Sequence, residues 1–221
     1  MTAELSSPLP GNPLRQGIRP KYLLFTALAV MYVYVLVTNE SFLFNPKDPE
    51  WAHISPFQMI LLPHGMAAAF ALFLGPLQFS ERLRRKYLTV HKVIGYLYIA
   101  GCYIGAPLGI YIQWFEERLG EPHSFTIATI MDASIWIFAT TMALYFVRSG
   151  KIQQHRQWMT RSFFCAIIFL EVRAIVTLFQ LPQSAIEAVV WACVAAAYPL
   201  ADLTLQIDEL RRQKSRTLRA A

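Results

Sequence analysis

The sequence predicts an all-α protein: an integral membrane bundle of six transmembrane helices with both termini cytoplasmic. Three observations lead there. Apolar residues make up 55% of the chain and charged residues only 15%, with mean hydropathy +0.37, against the roughly 25% charged residues of ordinary soluble domains. The apolar residues gather in runs of about 20, long enough for a helix to cross a hydrocarbon core about 30 Å thick. Threaded back and forth, those runs place nearly all Lys and Arg on one side.

Residues 1–21 open with the Pro- and Ser-rich stretch "MTAELSSPLPGNPLRQGIRP" and are expected to form a disordered cytoplasmic tail. The membrane domain is expected to cover 22–206. Its first span, 22–38, follows Arg15, Arg19 and Lys21 and has no small-residue cleavage site after it, so it reads as an uncleaved span rather than a signal peptide. The longest connection follows and holds Pro49 and Trp51. The second span, 56–79, is rich in small residues: Gly65, Ala67, Ala68, Ala69, Ala71 and Gly75. The third, 88–114, repeats Gly101, Gly105 and Gly109 every four residues, a spacing that lets a neighbouring backbone come close. Spans four, five and six are expected at 124–147, 158–181 and 184–206, ahead of a basic cytoplasmic tail at 207–221. Pro63, Pro76, Pro107 and Pro199 are expected to bend their helices, with neighbours satisfying the freed carbonyls.

Orientation comes from charge. One side collects Arg15, Arg19 and Lys21; Arg82, Arg84, Arg85 and Lys86; Arg148, Lys151 and Arg156; and Arg211, Arg212, Lys214, Arg216 and Arg219, while the other has only Lys47 and Arg118. Lys and Arg mark the cytoplasmic side. The net charge of +6 is therefore spent at the mouths of apolar runs, where membrane lipids with anionic headgroups are the expected partners and nucleic acid is not. Cys102, Cys165 and Cys193 each lie within an apolar run without a C-x-x-C, so they read as small packing residues rather than thiolate ligands.

Ionisable residues inside a membrane are functional candidates by default. At 1.5 Å per residue, His64, Asp132, Glu171 and Arg173 all fall about 12–15 Å from the outer edge, on three helices. His64 is expected to bond Asp132 or Arg173, or to serve as a ligand. Arg173 would pair with Asp132 or a kinked helix's carbonyls, since Glu171, two residues away, points to the opposite side. His53 and His123, at the outer loops, are expected to be solvated.

A second group lies in the inner half: His91, three residues into span three; His155 at the mouth of span five, with Trp158 and Arg161 above it; and Asp202. Neutral imidazole binds transition metals and haem iron. His91 and His155 match in depth for a haem b between neighbouring helices, with Gly95 one turn from His91 clearing space and Arg156, Arg161 and Lys92 available to the propionates. Interfacial side chains reaching headgroups explain the same histidines without a ligand. A copper or zinc site would need a further ligand, for which Asp202 is at hand. No G-x-S-x-G, H-E-x-x-H, Walker loop or dinucleotide fingerprint occurs.

The stretches "PHGMAAAFALFLGPLQF", "VHKVIGYLY" and "HRQWMTRSFF", followed by Arg173 in "EVRAI", resemble the bacterial membrane family called domain of unknown function 2306. The likeness covers roughly 60 to 180 and marks His64, Gln78, His91, Gly95, Tyr98, His155, Trp158, Met159, Arg161 and Arg173. It implies a multi-pass protein of the bacterial inner (plasma) membrane and brings no activity with it. A more distant resemblance is to b-type membrane cytochromes, from which Asp132 departs by standing where a second outer haem ligand would be wanted.

The expected function is accordingly a membrane redox component: haem b on His91 and His155, with a quinone or proton site near His64, Asp132 and Arg173. Two other classes stay open, a non-catalytic accessory or scaffold subunit of a larger membrane complex and a small-solute or proton transporter. Whether the chain is an enzyme is left open too.

Overall fold

A computed structural model describes residues 20–220, and these form helices and short connections with no strand among them. The helices are α1 (Pro20–Thr38), the short α2 (Glu50–Ile54), α3 (Gln58–Gln78), the short α4 (Glu81–Lys86), α5 (Leu88–Leu119), α6 (His123–Arg148), α7 (Ile152–Ala166), α8 (Ile168–Leu178) and α9 (Gln183–Ala220). The tail expected before residue 20 lies outside the described residues.

Four stretches are long and apolar enough to cross a membrane: Glu50–Gln78, Leu88–Leu119, His123–Arg148 and Gln183–Lys214. Phe25–Thr38 forms a shorter apolar helix. The fifth expected span departs most from expectation. Residues 158–181 do not form one apolar rod but two helices, α7 and α8, joined at Ile167. The physical reason is position. α7 packs against α6, α9 and α3 rather than standing at the lipid boundary, and polar residues in membrane helices belong on surfaces facing the bundle interior. The helix α9 runs on through the basic segment after 206, where an Arg212–Asp208 pair at 2.6 Å joins successive turns.

The glycine spacing does what its pattern predicts. A Cβ at Gly101 would sit 2.5 Å from the Ala67 carbonyl oxygen, and one at Gly105 would meet the Ala67 side chain, so α3 and α5 touch through backbone. Gly75 admits the Phe163 ring where a Cβ would stand, bringing α7 against the end of α3. Proline 76 removes the donor that would serve the Leu72 carbonyl, and Tyr32 of α1 reaches across to donate to that oxygen at 2.6 Å. Gly120, at φ 116, ends α5 in the left-handed conformation that glycine adopts without penalty.

Candidate functional site

α7 carries the stretch "HRQWMTRSFF", and its side chains go to nearly every neighbour. The His155 imidazole donates from Nδ1 to the Ala143 carbonyl of α6 (2.8 Å). Trp158 meets Phe138 edge-on, with the Arg161 guanidinium 4.9 Å from its ring centre. Met159 and Phe163 are buried in the main core. Arg161 Nε donates to Asp202 Oδ1 of α9 at 2.8 Å, so the arginine expected to serve the propionates is engaged by a carboxylate of this chain.

Ser162 is fully buried and belongs to a closed ring of hydrogen bonds. Trp136 Nε1 donates to Tyr98 Oη (3.2 Å), and Thr140 Oγ1 donates to the Trp136 carbonyl (2.8 Å). A hydroxyl has one proton to give. With the Thr140 proton on the Trp136 carbonyl rather than on Cys102 Sγ (3.3 Å), Ser162 donates to Thr140 (2.7 Å) and Tyr98 donates to Ser162 (2.7 Å). The ring starts and ends on Trp136, joins α5, α6 and α7, and satisfies each hydroxyl both as donor and acceptor. Tyr98, Thr140 and Ser162 are each 0% exposed.

Two turns beyond this ring lie the inner histidines, His91 before Tyr98 and His155 before Ser162. A carbonyl only accepts, so the bond to Ala143 fixes the His155 proton on Nδ1 and leaves Nε2 with its lone pair. The His91 Nδ1 is buried without a hydrogen-bond partner. Gly95 does not open onto this pair. It faces the Gln78 carboxamide, 3.5 Å from where a Cβ would be, and Gln78 donates to the His91 carbonyl at 3.3 Å. Lys92 is exposed.

The outer-half residues do not form the single layer that their common depth suggests. His64 donates from Nδ1 to the Gly105 carbonyl (2.9 Å) and lies against Gly109, inside the α3–α5 contact; it bonds neither Asp132 nor Arg173. Arg173 pairs with Glu40 at 2.5 Å and stacks on Phe169, at 4.4 Å from its ring centre, so its partner comes from the connection after α1. Asp132 bonds none of the other three, and its Oδ1 is buried without a hydrogen-bond partner. Common depth is a matter of residue count, whereas the direction a side chain faces depends on how each helix is rotated against its neighbours. The outermost histidines are exposed as expected and also paired, His53 with Glu116 (3.2 Å) and His123 with Glu117 (2.8 Å).

Sequence reasoning overlooked Thr140, Ser162 and Trp136, and it reached Tyr98 only through the family pattern. A usable signal existed, because hydroxyls in the middle of membrane spans need partners. Among the described residues no three or more His, Cys, Asp or Glu side chains come together to hold a metal ion, and Asp202, the further ligand a metal would need, is bonded to Arg161.

A family model described as "Predicted membrane protein (DUF2306)" matches residues 61–205, well over half of the chain. None of the curated proteins and none of the solved structures matches it, so the more distant cytochrome likeness gains no support from these comparisons.

Proposed function

The chain belongs to the DUF2306 family of predicted membrane proteins, and from that premise we propose that it is a redox component of a bacterial inner membrane. In this reading it is threaded six times, α7 and α8 together making the fifth passage, with both termini in the cytoplasm. The distribution of Lys and Arg supports the orientation.

One observation carries the redox reading. Two imidazoles lie toward the basic end of the bundle, each with a ring nitrogen free of hydrogen bonds: His155 through Nε2, and His91 through a buried Nδ1. A histidine oriented by an Nδ1–H bond to a backbone carbonyl is the arrangement that holds a ligating ring in place. His91 and His155 are therefore the residues that would hold haem b iron. When bound, that group supplies one-electron transfer. Around it, Ala143 fixes the His155 tautomer, Gln78 steadies the first turn of α5 through the His91 carbonyl, and the Arg161–Asp202 pair locks α7 to α9. Asp132 is the group we assign to proton exchange, since its buried oxygen is left without a donor.

The test is an optical spectrum of the detergent-purified protein from haem-replete cells, oxidised and then dithionite-reduced, with metal analysis on the same sample. The expected result is a Soret band that sharpens and shifts on reduction and is lost in His91→Ala and in His155→Ala. A colourless, metal-free protein would overturn the proposal and leave the accessory-subunit or transport reading in its place.

A further inference from the structure

We propose that His64 is the hydrogen-bond acceptor of a quinol site on the α3–α5 pair. The choice of a quinol as ligand rests on the redox reading; the presence of an open acceptor does not.

Backbone sets the ring. Nδ1 donates to the Gly105 carbonyl of α5 at 2.9 Å, so the proton resides there and Nε2 keeps its lone pair. Gly109, one turn further along α5, makes the slot. A Cβ there would stand 3.1 Å from the His64 Cε1 and 3.6 Å from Nδ1. A carbonyl and a glycine of the neighbouring helix therefore fix both the tautomer and the position of the imidazole. His155 is restrained in the same way, by an Nδ1–H bond to the Ala143 carbonyl.

Nε2 has no partner. Among the described residues no hydrogen bond reaches it, and the protein does not enclose it, so the lone pair opens at the surface of the bundle. That surface is apolar. α3 lies in a stretch long and apolar enough to cross a membrane, and Leu62 and Met66, two residues to either side of His64, are exposed. An acceptor open to hydrocarbon finds no water there and is satisfied only by a donor on a ligand. Depth decides which donor. His64 lies about 12 Å from the outer edge, where phospholipids offer acyl chains and ester oxygens, none of which donates. A donor at that depth belongs to an apolar molecule with its own hydroxyl, and in a redox membrane protein that molecule is a quinol. The quinone form presents only acceptors, so a lone pair at this position selects the reduced ligand.

The test is native mass spectrometry of the full-length protein in detergent. Decylubiquinol is titrated into dithionite-reduced protein and decylubiquinone into oxidised protein, so that neither ligand changes its redox state. The wild type is expected to hold the quinol more tightly than the quinone. His64→Phe, which fills the slot without an acceptor, should weaken quinol binding roughly tenfold and leave quinone binding unchanged. His64→Gln, whose amide oxygen accepts, should recover part of the loss. Gly109→Ala, which acts only by displacing the ring, should also weaken quinol binding, and it decides the matter if His64→Phe does not fold. Equal affinity for the two forms in the wild type, or undiminished quinol binding in the variants, would overturn the proposal. An optical spectrum of each sample separates the two readings. Absent quinol preference with an intact Soret band removes the quinol site alone, whereas a colourless protein that still binds quinol through His64 removes the haem reading alone.

Discussion

The side chains that matter most to this bundle are small hydroxyls. Tyr98, Ser162 and Thr140 close a hydrogen-bonded ring through Trp136, with Cys102 Sγ a second acceptor 3.3 Å from the Thr140 hydroxyl. Removing a member strands the others in an interior where water cannot replace the lost partner. Ser162→Ala takes an acceptor from Tyr98 and a donor from Thr140, and is expected to cost about 1–2 kcal/mol in thermal or denaturant unfolding of the detergent-solubilised protein. Thr141→Ala is the matched control. Its hydroxyl bonds Tyr103 at 2.6 Å, but the pair is exposed, so the loss should stay within about 0.5 kcal/mol. Equal losses would show that the ring contributes nothing beyond an ordinary surface bond.

At the scale of elements, the contact between α3 and α5 is decided by the absence of side chains. Gly101 faces the Ala67 carbonyl too closely for a Cβ, whereas Gly65 faces open space. Gly101→Ala gains helix propensity of about 1 kcal/mol but forces the two backbones apart, and overpacking of about 1–3 kcal/mol outweighs that gain. The expected outcome is a lower melting temperature for Gly101→Ala and an unchanged or higher one for Gly65→Ala. The glycine repeat was legible in the sequence because spacing alone defines a stripe. The α7–α8 discontinuity was not. A polar helix buried among others and a polar helix at a membrane surface have similar sequences, and no Pro or Gly marks Ile167 as a joint.

For the whole molecule, asymmetry of charge is the organising fact. The basic residues of α4, α7 and the end of α9 share one end of the bundle, and the opposite end holds the His53–Glu116, His123–Glu117 and Arg173–Glu40 pairs. On the proposed six-pass reading, a fluorescent protein fused after residue 221 should fold and fluoresce in the cytoplasm, and a periplasm-dependent phosphatase placed in the connection at 45–49 should be active. The reverse pattern would refute the orientation argued from Lys and Arg. Composition, apolar run length and charge asymmetry determined by themselves that this is a helical membrane protein, and counting residues placed each polar group at its depth. Only the tertiary structure decided which of those groups meet. His64, Asp132 and Arg173 are expected at one depth, yet His64 bonds the Gly105 carbonyl, Arg173 pairs with Glu40, and Asp132 keeps a buried Oδ1 without a hydrogen-bond partner. The rise along a helix is constant, so sequence fixes height; the rotation of each helix about its axis is set by packing against all its neighbours at once, and that information is spread over the whole chain.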